Sequence, residues 1–276
     1  MHTKLTFLLT ILSFFVISCG SGEGDRASAD GMAKLAEDPA FQEKHEEPDS
    51  LVFEARGEML EVEVPGGEPA SAYVLMAEED TDRYLFVFHE WWGLNDHIKA
   101  EAERLYDKLG EVNVIAPDLY DGKVADTREK AVEYVQAFAP ARGEAIVGAL
   151  LAKAGPRARV ATIGWCFGGG WSLRASIQAK EKGAGCVIFY GMPVETAEEL
   201  APISCEVLGI FATEDGSINE EVVANFEQLC EETNTPLEVH WFEADHAFAN
   251  PSSPRYQEEA AQKANELAWN FLLDRL

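Results

Sequence analysis

The chain has 276 residues, 47% of them hydrophobic, with 22 lysines and arginines against 49 aspartates and glutamates and a formal net charge of −27 at pH 7. That balance excludes nucleic-acid binding, which needs a basic face against phosphate, and excludes attachment to anionic headgroups through a basic surface. Length and apolar content suit a single domain with a sizeable core.

In chain order, Met1-His2-Thr3-Lys4 precedes an apolar run at residues 5–17. The run is shorter than the ~20 residues needed to span a bilayer, so it reads as a leader rather than a membrane helix. Val16-Ile17-Ser18-Cys19 fits the pattern of a bacterial lipoprotein signal. Residues 1–18 are expected to be removed and Cys19 to carry lipid, anchoring the mature chain in the bacterial cell envelope. Gly20 follows that cysteine, where some bacteria use aspartate for inner-membrane retention, and so points to the outer membrane. Residues 19–50 are small, polar and acidic and are expected to form a flexible tether, with at most a short helix near residues 32–35.

Residues 51–276 are expected to hold the domain. Strands near 59–64 and 71–76 would form a hairpin, followed by strands at 84–88, before Ala116, and at 159–163, 185–190, 207–212 and 237–242. Helices are expected between and after them, at 96–109, 127–137, 142–153, 169–180, 219–232 and 254–275. Such alternation implies an α/β domain, a mainly parallel, doubly wound sheet with helices on both faces. Loops at the carboxyl ends of its strands would then share one edge.

Cys166 stands at one of those ends, in Gly164-Trp165-Cys166-Phe167-Gly168-Gly169. Small residues on both sides of a nucleophile permit a tight strand-to-helix turn. The turn is expected to aim the sulfur into solvent at a helix N-terminus, which favours the thiolate. A cysteine nucleophile needs a histidine base, and that base an orienting acid. Of six histidines, His2 lies in the leader, His45 in the tether and His97 on a surface helix, leaving His89, His240 and His246. His246 follows the last strand in Ala244-Asp245-His246-Ala247-Phe248, and Asp215 follows the preceding one. Glu90 ends the apolar strand Tyr84-Leu85-Phe86-Val87-Phe88, where burial would raise its pKa until it could accept a thiol proton. His89-Glu90 does not open a zinc HExxH motif, because Gly93 occupies the second histidine's place, and His240, Asp245 and His246 give no ligand set. No metal or cofactor is expected.

His89-Glu90-Trp91-Trp92-Gly93-Leu94-Asn95, Ala116-Pro117-Asp118-Leu119-Tyr120, the cysteine elbow, Asp215 and Asp245-His246-Ala247-Phe248 together resemble the dienelactone hydrolase family, cysteine-dependent members of the α/β-hydrolase fold, over residues 55–276. The resemblance implies a Cys166–His246–Asp215 triad and a Glu90 carboxylate that controls the protonation of the cysteine. It also implies an oxyanion hole formed by the backbone N–H groups of Phe167 and Trp91. The implied activity is hydrolysis of a small ester or lactone through a thioester, by a chain expected to act as a monomer. Substrate contacts are expected from Trp92, Arg128, Asn250 and Phe248. Relatives hold a substrate carboxylate with arginines, one of them four residues beyond the catalytic histidine, and here that position is Asn250. This departure, with the acidic field, favours a neutral or differently held ester over dienelactone itself.

The remaining cysteines are Cys186, in a core strand, and Cys205 and Cys230, for which a disulfide is open in an oxidising envelope. Two other functional classes are open on the residues. A non-catalytic envelope binding lipoprotein would use the same fold, and a thiol redox protein would want a resolving cysteine, although no CxxC exists.

Overall fold

The computed structural model describes residues 30–43 and 45–276, so the leader and Cys19 lie outside the described residues. One eight-stranded sheet organises them, in the spatial order β1-β2-β4-β3-β5-β6-β7-β8. The strands are β1 (Glu58–Val62), β2 (Ala70–Leu75), β3 (Arg83–Phe88), β4 (Asn113–Pro117), β5 (Arg159–Trp165), β6 (Gly183–Phe189), β7 (Val207–Ala212) and β8 (Leu237–Phe242). β1 and β2 form the expected antiparallel hairpin, β2 runs antiparallel to β4, and every pairing from β4 to β8 is parallel. Central strands are apolar along their whole length because both faces are covered. All six residues of β7 are buried, as are the last six of β5.

Helices follow the strands where local chemistry starts and stops them. Asn95, Thr127 and Asn219 each accept a backbone N–H at the start of α3 (Asp96–Leu109), α4 (Arg128–Ala137) and α8 (Glu220–Thr233). α5 (Pro140–Ala154) begins on a proline whose missing N–H costs nothing in the first turn. α6 (Phe167–Ala179) begins two residues earlier than expected, directly after Cys166. A short α7 (Ala197–Leu200) follows β6, and α9 (Glu258–Leu273) closes the chain. Cys205 and Cys230 are buried as free thiols.

The expected tether at 19–50 does not extend through its second half. Its residues form two short helices, α1 (Asp30–Leu35) and α2 (Pro39–Glu43), and Met32, Ala36, Phe41 and His45 are buried. These side chains stand four apart in pairs, on one face of a helical turn, and the acidic residues around them mask the pattern. Arg128 fastens the segment by donating from Nε to the His45 carbonyl at 2.9 Å. We call residues 30–45 the strap.

Candidate active site

The backbone of Cys166 is the first element of the site. Cys166 has φ 54° and ψ −119°, a left-handed conformation that a non-glycine residue holds only when its surroundings enforce it. Its N–H donates to the Phe189 carbonyl at 3.0 Å, and its own carbonyl accepts from Gly169 N at 3.0 Å. The flanking glycines allow the close approach: a Cβ at Gly164 would lie 2.0 Å from the Gly168 carbonyl oxygen, and one at Gly168 would lie 2.3 Å from the Phe88 oxygen.

Two further strand ends bring the partners. Asp215, after β7, accepts from Ser217 N at 2.9 Å and Ile218 N at 3.0 Å through one oxygen, while the other takes the Nδ1 proton of His246 at 2.5 Å. Burial would raise the Asp215 carboxyl, but the His246 charge and these hydrogen bonds bring it down to about 2. Burial likewise pulls His246 down. The negative charge of Asp215, that of Cys166 as a thiolate, and the hydrogen bonds to both outweigh it and hold the imidazole at about 10. His246 Nε2 is fully buried and faces the Cys166 sulfur.

Glu90, the last component expected from the sequence, lies buried just beyond β3. Burial raises its carboxyl to about 7 against the opposing influence of the His246 charge, a 2.6 Å hydrogen bond from Asn250 Nδ2 and the Arg255 charge. His89 is structural: Leu119 N–H donates to its Nε2 at 3.2 Å, so Nδ1 carries the proton and donates to the Glu90 carbonyl at 2.6 Å. His240 pairs with Glu238 at 2.6 Å on the edge strand β8.

The sulfur does not point into solvent as the elbow alone suggests. Cys166 is 2% exposed, because the strap lies over it. His45 Nε2 is 4.0 Å from Sγ, and the Phe41 ring packs 5.6 Å from Trp91 and 5.7 Å from His246. Burial, then the charge of His246, holds the His45 imidazole well below its usual range. The space left is about 10 Å³, bounded by His45, Glu90, Trp91, Trp92, Cys166, Asn250 and Arg255 among others. Beyond Glu90, Asn250 and Ser252 lies a groove of about 430 Å³, walled in part by Ile98, Trp165, Tyr256 and Trp269.

Of the expected substrate contacts, Trp92 borders the cavity. Asn250 also borders it, with its amide committed to Glu90 and its carbonyl oxygen to Ser252. Arg128 is turned to the strap, and Phe248 is a core residue, fully buried 5.3 Å from Phe242 and 5.7 Å from Tyr190. The left-handed Ala247, φ 62°, precedes it in this turn. Two residues of the site escape the sequence reading. Composition places His45 in the tether. Arg255, in a Ser/Pro-rich loop, reaches the cavity while donating from Nε to the His246 carbonyl at 3.0 Å.

The model of the dienelactone hydrolase family matches residues 71–276. Among curated proteins, a carboxymethylenebutenolidase of Pseudomonas putida is 29% identical over 205 residues, covering 68% of this chain and 84% of that protein. Carboxymethylenebutenolidase 1 of Cupriavidus pinatubonensis is 26% identical over 220 residues, 75% of this chain and 92% of that protein. Among solved structures, the dienelactone hydrolase of Anabaena variabilis superimposes with a TM-score of 0.60 at 16% identity, covering 81% of this chain and all of that one. At that identity the likeness is one of fold.

Proposed function

This chain belongs to the dienelactone hydrolase family, and on that premise we propose that it hydrolyses a small, neutral ester or lactone through a Cys166 thioester. The observation that carries the reading is the convergence of Cys166, His246 and Asp215, from three strand ends, in one buried constellation. In the proposed cycle the Cys166 sulfur attacks the carbonyl carbon, and the carbonyl π electrons move to oxygen. The N–H groups of Phe167, at the unpaired first turn of α6, and of Trp91 receive that oxyanion. Collapse breaks the C–O bond, and the departing alkoxide takes a proton from His246.

Part of the elevation of His246 comes from the negative charge of the sulfur. Acylation removes that charge, so the imidazole, held in one tautomer by Asp215, becomes able to deprotonate water for thioester hydrolysis. Glu90, raised to about 7, takes the proton of a resting Cys166 thiol. Asn250 occupies the place of a carboxylate-binding arginine, and the net charge of −27 disfavours anions, so a neutral substrate fits best.

The proposal includes cleavage before Cys19 and lipid attachment there, argued from the Val16-Ile17-Ser18-Cys19 pattern. The intact mass of the mature chain tests it. Activity is tested with p-nitrophenyl acetate and a panel of lactones at neutral pH. Cys166→Ala is expected to lose about 10³-fold or more in kcat. A folded wild-type protein inert to the whole panel would favour a binding protein instead.

A further inference from the structure

His45 supplies a third soft or borderline ligand to a site where the proposed chemistry uses only two. Cys166 Sγ and one ring nitrogen each of His45 and His246 lie within 4.8 Å of one another, and all three residues are buried. Both histidines have Nδ1 engaged, His246 by the Asp215 carboxylate at 2.5 Å and His45 by the Phe41 carbonyl at 2.7 Å. The nitrogens left facing the sulfur are therefore the two Nε2 atoms. That of His246 is buried and faces the Cys166 sulfur, and that of His45 stands 4.0 Å from Sγ. A carboxylate or carbonyl on the far nitrogen, aiming a lone pair inward, is the supporting arrangement found around metal-bound imidazole.

We infer that Cys166, His246 and His45 form a zinc site that locks the strap over the nucleophile. One thiolate and two imidazoles suit Zn²⁺ and are poor ligands for Mg²⁺ or Ca²⁺, which prefer oxygen. Tetrahedral zinc, with Zn–S near 2.3 Å and Zn–N near 2.0 Å, places sulfur and nitrogen about 3.6 Å apart. The observed 4.0 Å between Sγ and His45 Nε2 closes to that value with a small movement of the strap. The remaining cavity of about 10 Å³ has room for about one water as fourth ligand. Binding forms one Zn–S and two Zn–N bonds and releases to solvent the Nε2 proton of a charged His246, together with the thiol proton where the cysteine carries one. The ion occupies the sulfur lone pair that would attack and the Nε2 that would carry the proton, so the bound state is inactive. Because His45 is the strap's contribution, the site exists only when the strap is closed.

The test is a Co²⁺ titration of the full-length chain in detergent, read by absorbance and therefore independent of turnover. Wild type is expected to show a thiolate-to-cobalt charge-transfer band and the strong visible bands of tetrahedral cobalt, both abolished by added Zn²⁺. Cys166→Ser should remove the charge-transfer band, and His45→Ala should weaken binding by about 100-fold or more. His45→Cys should restore affinity by returning a ligand, which separates lost coordination from a loosened strap. His240→Ala, on the edge strand, should change nothing. Absence of the band in wild type, or a band indifferent to His45→Ala, overturns the inference. Zn²⁺ should also suppress ester hydrolysis reversibly, with recovery on adding a chelator. If the esterase reading fails while the cobalt band behaves as stated, the metal site stands alone.

Discussion

Asp215 and Glu90 are both buried carboxyls, yet their surroundings drive them in opposite directions. Asp215 accepts two backbone N–H groups and the His246 proton and lies at about 2, whereas Glu90 has one amide donor and lies at about 7. The first is suited to fixing a cation, the second to exchanging a proton near neutrality. Asp215→Asn keeps the shape but no longer fixes the His246 tautomer, and is expected to lower kcat by about 10⁴-fold with an unchanged fold, measured beside wild type on p-nitrophenyl acetate. If Glu90 must be ionised to take the thiol proton, kcat/KM rises with pH through an inflection near 7, and Glu90→Gln removes that inflection. Asn250→Ala withdraws a hydrogen bond that favours the charged carboxylate, so the inflection should move upward in pH. A profile unchanged by either substitution would remove Glu90 from the mechanism.

Most elements were legible from periodicity. The helix starts expected at 96, 127 and 219 fall within a residue of those observed, and the runs of β3, β5 and β7 announce buried parallel strands by their apolar length. The elbow was legible because its glycines are imposed by close backbone approach, a constraint carried in residue type. The strap was not, since four buried side chains are diluted by acidic neighbours and their burial depends on the fold they cover. Side-chain direction after a turn was equally hidden. Phe248 enters the core after a left-handed Ala247, and Arg128 reaches the strap from the first turn of α4. Phe41 wedges between Trp91 and His246, so Phe41→Ala should loosen the strap and speed iodoacetamide labelling of Cys166 by at least roughly tenfold, as loss of a buried Phe costs about 3 kcal/mol or more. Equal labelling rates would show that opening does not depend on this wedge.

At the scale of the whole molecule, charge and the buried site act together on stability. His246 is raised to about 10, so its contribution is complete below its unfolded value of ~6.5 and is lost as pH climbs through 10. Asp215 is depressed to about 2, so its contribution holds above ~3.9 and is lost only as pH falls through 2. Glu90 is raised to about 7, and its contribution is present below ~4.3 and gone above 7. Repulsion within a chain of net charge −27 also grows as pH rises. Asp215 is constant above about pH 4 and the depressed His45 weakens the fold only below ~6.5, so from pH 7 upward the His246 loss and the repulsion act together, and Tm at pH 7 is expected to exceed Tm at pH 9 by several degrees in calorimetry. The proposed cycle puts the acyl group on Cys166 of this covered, strand-end constellation. Rapid acid quenching during turnover of p-nitrophenyl acetate, followed by mass spectrometry of the peptides, tests it most directly. One acetyl group is expected on Cys166, accumulating further in Asp215→Asn as deacylation slows. Acetyl on another residue, or steady turnover in Cys166→Ala, would contradict it.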